Sequence, residues 1–247
     1  MRYDVGRSRR LRKDHVDERR ERVLPGITVA ASRRAVRISS ELPLTTLSSA
    51  VVGGGRSVVR EILNLHVDDK YDGERPDEDL AAAAAELGVG GRFVGLMTAA
   101  YTEYATWAVE TAADLSVAAV VSVGLSNTSS AGITPPVGVE TPAPGTINIV
   151  LLVDGALSPS AMVNAVITVT EAKTMTLAEW DVCTPQGEAA SGTSTDTVVI
   201  ACTGRGEEWD YAGPATPVGW LAARAVRAAM TRNCTEKIER DGGRRGW

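Results

Sequence analysis

The sequence predicts a single α/β domain in which helices flank a mixed β-sheet. Short runs of β-branched residues recur along the chain, and two segments with helix start signals stand between such runs. With 44% apolar residues in 247, the chain is long enough to bury one large core. The longest apolar runs fall far short of the roughly 20 residues that cross a bilayer. We therefore expect a soluble protein.

The predicted domain covers residues 25–232. Residues 1–24 are rich in Lys, Arg, Asp and Glu and lack the apolar stretch of a secretory signal, so we expect a charged, disordered tail. Residues 233–247 end in ERDGGRRGW, which predicts a frayed tail.

The first half of the domain consists mainly of predicted strands. ITVAA, AVRISS, LTTLSSAVV and SVVREILNLHV are β-branched runs, broken at Pro43 and by glycines at 53–55. PDEDLAAAAAEL predicts a helix, because acidic residues fill its first turn, alanines follow, and Gly88 stands just past its end. RFVGLMT and LSVAAVVSVGL predict two further strands.

The second half predicts a loop followed by a β-α-β unit and a last helix. Residues 126–145 are rich in Ser, Thr, Gly and Pro, which is typical of a long loop over a surface or a pocket. GTINIVLLVD and DTVVIAC predict strands. Between them, Ser158 before Pro159 is a helix start signal, and that helix can run to about Trp180. PVGWLAARAVRAAMTR predicts the final helix.

Composition excludes several classes of function. A net charge of −5 argues against a nucleic-acid partner, because phosphate binding needs a face of clustered Lys and Arg. The three cysteines are widely spaced and odd in number, which indicates neither a disulfide framework nor a thiolate metal site, and fits a reducing cytoplasm. His66, Asp68 and Asp69 are too few for a metal site, so we expect no metal cofactor. Assembly into a homo-oligomer is kept as an alternative to a monomer.

Three polar clusters are predicted to converge. In GTIN, Thr146 and Asn148 point to one face of their strand. The following helix folds back by roughly 20 Å, which returns Glu171 of TEAK to the level of Asn148. A right-handed crossover makes the next strand parallel, so Thr195 and Asp196 of GTSTD start at that same end. Alternatively, each cluster is an ordinary turn or a solvated helix face.

These motifs also carry a resemblance to a known family. The runs LSSAVVGGG, NLHVD, GLMTAA, GLSN, GTINIVLLVDGALSPSAMVNAVITVTEAKTMTLAE, GTSTDTVVIAC and YAGPATPVG, in this order, resemble the adenosylcobinamide amidohydrolase family of the CbiZ type. The resemblance covers about residues 44–229. It implies hydrolysis of the amide that joins the corrin ring to aminopropanol, which gives adenosylcobyric acid for corrinoid salvage. The cobalt would arrive within the corrinoid substrate.

Amide hydrolysis needs an activated nucleophile, a stabilised oxyanion and a proton for the departing amine. Glu171 is the predicted base. Asn148, or a backbone N–H of the turn at 192–195, is predicted to hold the oxyanion. Thr146, Ser49 and Thr195 are alternative nucleophiles.

His66 offers a second route to acid–base chemistry. In NLHVD, Asn64, His66 and Asp68 lie on one strand face, so His66 could complete a triad or protonate the amine. Alternatively, it is a partly buried histidine satisfied by backbone. Asp196 is a further catalytic candidate. The predicted substrate-binding residues are Ser49, Asn64, Thr98, Asn127, Thr193 and Thr195.

The sequence is also consistent with two alternative functions. The chain could be a non-catalytic corrinoid carrier or sensor that keeps the pocket without turnover. It could also cleave itself at Gly145–Thr146, which would expose Thr146 as an amino-terminal nucleophile.

Overall fold

A computed structural model describes residues 18–68, 71, 73–136, 145–240 and 242 of the chain. The helices in these ranges are α1 (Pro76–Glu86), α2 (Pro159–Glu179) and α3 (Pro217–Arg240), with a short 3-10 helix at Thr102–Tyr104. The strands are β1 (Arg19–Leu24), β2 (Ile27–Ala31), β3 (Ala35–Ser48), β4 (Gly55–His66), β5 (Phe93–Thr98), β6 (Thr106–Ala112), β7 (Leu115–Val123), β8 (Thr128–Ser129), β9 (Ile147–Val153), β10 (Ala156–Leu157), β11 (Gly192–Thr193), β12 (Thr197–Cys202) and β13 (Glu208–Trp209).

One mixed sheet organises the described part of the chain. Nine strands form it, in the order β1-β2-β3-β12-β9-β7-β6, with β4 attached to β3 and β5 to β4. β3 pairs with β4 along one edge, and along its other edge it pairs first with β2 and then with β12. It therefore joins two halves of the sheet, one formed by β1, β2, β4 and β5 and the other by β6, β7, β9 and β12. An apolar layer lies between the halves. The predicted single α/β domain with a mixed sheet is confirmed.

Helices cover the outer faces of both halves. α2 and α3 pack on β6, β7, β9 and β12, and α1 packs on β4 and β5. All residues of β9 are buried, because this strand has helices on one side and the other half of the sheet on its second side. Within the described ranges, no helix combines the length and the apolar character that crossing a membrane requires.

The predicted β-α-β unit is present. The Ser158 hydroxyl accepts a hydrogen bond from the N–H of Ala161 at 3.2 Å, and Pro159 occupies the first turn, as expected for this start signal. β9 and β12 are parallel neighbours, with Asn148 opposite Thr197. The amino ends of β9 and β12 therefore lie side by side, as the crossover rule predicts.

Pro43 does not end a strand. The two runs predicted on either side of it form the single strand β3, and the pairing with β4 shifts register between Ser39 and Leu44. Proline has no N–H to donate to the ladder, so it is accommodated at such an irregularity without breaking the strand.

The ordered domain extends past both predicted ends. β1 lies within the predicted amino-terminal tail, where it forms a hairpin with β2 and where Glu21 accepts a 2.6 Å hydrogen bond from the indole of Trp107. α3 continues beyond Arg232 and buries Asn233 and Cys234. Four of the six residues of β1 are charged, and one of them, Glu21, itself makes the contact with Trp107, so composition alone did not reveal the strand. Residues 1–17 and 243–247 lie outside the described residues.

The long loop predicted at 126–145 is partly regular. Its β8 strand pairs with β11 in a small antiparallel ladder, which brings the loop against the GTSTD turn. Residues 137–144 lie outside the described residues.

The three cysteines are free thiols in different surroundings. Burial raises the pKa of the Cys202 thiol to about 12 and that of the Cys234 thiol to about 11. Cys183 is partly exposed.

We expect an alkylating reagent at neutral pH to modify Cys183 in the folded protein long before Cys202 and Cys234. The reactive species is the thiolate, which burial disfavours at the latter two positions. Peptide mass spectrometry over a time course measures the three rates, and unfolded protein, in which all three should react, is the control. Rapid modification of Cys202 in the native protein would contradict the buried position of β12.

Candidate functional site

The apolar layer between the two sheet halves becomes polar at one end. Alternation along the strands directs Ile62 and Val120 into this layer. Two residues further along β4 and β7, Asn64 and Ser122 occupy the same faces, and both side chains are buried. Asn148 of β9 faces them. This end of the layer is formed by the carboxyl ends of β4, β5 and β7 and by the amino ends of β9 and β12.

Buried amide groups link the two halves at this end. The side-chain nitrogen of Asn148 donates to the side-chain oxygen of Asn64 at 2.8 Å and to the carbonyl of Met97 at 2.9 Å. Asn64 in turn donates to the hydroxyl of Ser122 at 2.8 Å. A small cavity of about 10 Å³ lies against these three side chains, near the lower limit for one water molecule. Both amide hydrogens of Asn148 are thus engaged, so holding an oxyanion would require it to release one partner.

The three predicted clusters meet on the carboxylate of Asp196. It accepts hydrogen bonds from the N–H of Ile147 at 3.1 Å and from the N–H of Thr193 at 3.2 Å. It also accepts a hydrogen bond from the Thr193 hydroxyl and pairs with the ammonium group of Lys173. GTIN, TEAK and GTSTD therefore each contribute a group, and the predicted convergence is present in the structure.

The ion pair of Lys173 and Asp196 is buried. Their side chains are 8% and 14% exposed. A Cβ at Gly192 would collide with the ends of both charged side chains, so a larger residue there would displace the pair. The backbone of the turn and the ion pair are consequently packed as one unit.

The hydroxyl groups of Thr146 and Thr195 form hydrogen bonds at the start of β9. Thr146 donates to the carbonyl of Thr195 at 2.7 Å, and its Oγ1 lies 3.3 Å from the side-chain oxygen of Asn148. In the opposite direction, the Thr195 hydroxyl donates to the carbonyl of Gly145 at 2.8 Å. Thr146 is 5% exposed. The two threonines thus hold the Gly145–Thr146 peptide between them.

Glu171 does not join this network. Its side chain is exposed on α2, and no hydrogen bond or ion pair connects it to a described residue. Lys173 lies two residues further on, roughly 200° around the helix, because each residue turns an α-helix by about 100°. Since Lys173 faces the GTSTD turn, Glu171 must face away. The expected placement of Glu171 beside Asn148 is corrected accordingly.

His66 lies at the same end of β4 but in a separate cluster. Its Nδ1 is 3.1 Å from the carbonyl of Ala100, and because a carbonyl only accepts, Nδ1 carries the proton. The exposed ring of Tyr101 lies 5.4 Å from the imidazole. Thr98, opposite His66 in the ladder, accepts a 3.0 Å hydrogen bond from the N–H of Ala100. This arrangement matches the alternative of a histidine satisfied by backbone.

The remaining predicted residues lie around the rim. Ser49 is exposed beside β12, where its hydroxyl accepts a 3.2 Å hydrogen bond from the N–H of Val198. Asn127 donates to the Ser194 hydroxyl at 2.9 Å, which joins the loop to the GTSTD turn.

Two polar residues of the site were missed from the sequence. The first is Lys173 of TEAK, whose burial depends on its partner Asp196 on another element and therefore left no local signal in the sequence. The second is Ser122, which lies in a run whose one other polar residue is Ser116. No group of three or more His, Cys, Asp or Glu side chains in the described part of the chain is placed to hold a metal ion.

The chain is similar to known proteins over most of its length. The sequence profile of a family described as Adenosylcobinamide amidohydrolase matches residues 21–242. An adenosylcobinamide amidohydrolase of Methanosarcina mazei is 32% identical over 187 residues, which cover 72% of this chain and 84% of the relative. One of Halobacterium salinarum is 36% identical over 118 residues, 46% of this chain and 48% of the relative. Among solved structures, a Burkholderia sp. beta-aminopeptidase aligns with a TM-score of 0.44 and 14% identity, over 83% of this chain and 80% of that one.

Replacing Lys173 with Met should lower the free energy of unfolding by about 3 kcal/mol, because it leaves the Asp196 carboxylate buried without its cation. Chemical denaturation measures the change. Arg227→Met is a matched control, since Arg227 pairs with Glu179 on the surface of the helix layer, and exposed pairs contribute about 1 kcal/mol or less. Equal, small losses in the two variants would contradict a structural role for the buried pair.

Proposed function

We propose a function for this chain on one premise, that it belongs to the adenosylcobinamide amidohydrolase family. The chain is thus a hydrolase that acts on an amide. The proposed substrate is adenosylcobinamide, in which water cleaves the amide between the corrin side chain and aminopropanol. The proposed products are adenosylcobyric acid and aminopropanol.

One observation of the structure supports this proposal above the others. The three motifs that are most specific in the family resemblance, far apart in sequence, meet on the Asp196 carboxylate. Their meeting point borders the buried polar end between the sheet halves, where Asn148 and Asn64 are joined. Buried polar groups are costly unless they are paired, so their concentration at one end of an apolar layer favours a site there.

We assign the nucleophile to Thr146. Its hydroxyl lies at the centre of this end, between Thr195 and Asn148. Asn148 and Asn64 act as positioning residues, because their amide groups are engaged with each other and with backbone. The pair of Lys173 and Asp196 fixes the starts of the two parallel strands that carry Thr146 and Thr195.

The proposal includes the surroundings of the reaction. The protein requires no cofactor of its own, and the cobalt belongs to the corrinoid. The partner is this small molecule, not nucleic acid, in keeping with the net charge of −5. A cytoplasmic location is supported by three free cysteines, which are typical of reducing compartments.

Incubation of the purified protein with adenosylcobinamide should yield adenosylcobyric acid and aminopropanol, separated by chromatography and identified by mass. Thr146→Ala, checked for native circular dichroism, should form no product because it lacks the hydroxyl nucleophile. A folded wild-type protein that binds the corrinoid without forming product would instead identify a carrier or sensor.

The same assay with a chelator should give an unchanged rate. Lost activity that a divalent ion restores would refute cofactor independence.

Glu171→Gln should keep the turnover rate within about twofold of wild type, since substitutions at exposed positions typically change free energies by less than about 0.5 kcal/mol. Steady-state rates of the variant and the wild type measure the difference. Removal of a general base would lower the rate by about 10²–10⁴-fold. Such a loss in a folded Glu171→Gln protein would reinstate Glu171 as the base predicted from the sequence.

A further inference from the structure

No base contacts the hydroxyl of Thr146 within the part of the chain that the structure describes. Among the described residues, its Oγ1 contacts the carbonyl of Thr195 and the amide oxygen of Asn148, and neither oxygen accepts a proton at neutral pH. Attack on a separate substrate by a threonine hydroxyl requires a base close by, whereas in attack on its own preceding peptide the departing nitrogen can take the proton. The backbone nitrogen of Thr146 is adjacent through covalent geometry, but as a peptide nitrogen it has no basicity.

The carbonyl that precedes Thr146 is already polarised. The Thr195 hydroxyl donates a 2.8 Å hydrogen bond to the carbonyl oxygen of Gly145. A donor in this position stabilises the negative charge that develops on that oxygen when a nucleophile attacks the carbonyl carbon. The closest hydroxyl along the chain is that of Thr146 itself.

Gly145 is buried and held in a conformation that other residues avoid. Its φ of +149° is rarely adopted by L residues, and a Cβ would collide with the side chains of Ser126 and Asn127. Glycine is therefore required on the acyl side of the bond, where Ser126 and Asn127 pack against it. The peptide is held in one conformation by the loop on one side and by Thr195 on the other.

From this geometry we propose that the chain cleaves its own peptide bond between Gly145 and Thr146. The Thr146 oxygen attacks the Gly145 carbonyl carbon, the C–N bond breaks, and the hydroxyl proton passes to the departing nitrogen. Water then hydrolyses the resulting ester. The products are a carboxylate at Gly145 and a free α-amino group and hydroxyl on Thr146, and the net reaction consumes one water.

The cut leaves the fold assembled. The part before the bond contributes β3 and β7 to the sheet, and the part after it contributes β9 and β12, which lie between β3 and β7. α3, from the second part, also packs on β6 and β7 of the first part. Interleaved strands cannot separate without unfolding, so the two pieces stay together in the native state.

The cut also supplies the missing base. An α-amino group has an ordinary pKa of about 7.7–8.0, so a substantial fraction is neutral near pH 8 and accepts the proton of the adjacent hydroxyl. This second consequence rests on the proposed amidohydrolase function, whereas the cut itself does not.

The full chain, purified and kept without corrinoid, should separate on a denaturing gel into two pieces, residues 1–145 and 146–247. Their intact masses should add up to the mass of the uncut chain plus one water. Amino-terminal sequencing of the second piece should begin Thr-Ile-Asn-Ile. A folded wild-type protein that retains a single intact mass after prolonged incubation would overturn the proposal.

Variants separate self-cleavage from a contaminating protease. Thr146→Ala should stay uncut, and Thr146→Ser should be cut because it keeps a hydroxyl. Thr195→Val should slow the cut about 10²-fold, the typical loss for one oxyanion donor. Thr170→Ala is the matched control, since this exposed threonine donates to the Val166 carbonyl of its own helix, and it should be cut at the wild-type rate. Cleavage of Thr146→Ala at this bond, or a rate that rises with protein concentration, would overturn the proposal.

The outcomes remain distinct from those of the substrate assay. A cut protein that forms no product from adenosylcobinamide supports self-cleavage and refutes the proposed substrate. An uncut protein that forms product refutes self-cleavage and leaves the amidohydrolase function in place.

Discussion

The carboxylate of Asp196 is the constraint on which the rest of the site depends. It is a buried charge, and a buried charge is tolerated only when it is paired and hydrogen-bonded. Its partners come from the start of β9, from the middle of α2 and from its own turn. Satisfying this one group therefore fixes the relative positions of the segments that carry Thr146 and Thr195.

A second buried polar group couples the halves of the sheet. The pair of Asn148 and Asn64 crosses the layer that is otherwise filled by aliphatic side chains. Such a pair adds little net stability, but a shift of either half would leave its amides unpaired, which costs about 1–3 kcal/mol for each group. The pair thus selects one alignment of the halves, and with it the shape of the polar end.

Much of this organisation could be predicted because it depends on local rules. Helix start signals placed α2 correctly, the handedness of β-α-β crossovers made β9 and β12 parallel, and rises per residue brought the three motifs to one end. The inward face of α2 was not predictable from polarity, since Lys173 is buried by a partner that lies on another element. β1 was not predicted because four of its six residues are charged, and its pairing with β2 is only visible in three dimensions.

The pairing of β3 on both of its edges has a consequence for synthesis on the ribosome. β2 and β4 are near neighbours of β3 in sequence and can pair with it early, but β12 is made much later. Until β12 has emerged, part of one edge of β3 presents unpaired backbone groups, as does the edge of β9 that β12 will cover. Open edges of this kind invite association between chains. The arrival of β12 closes both edges at once, so the interval before it is when the nascent chain is most exposed to such association.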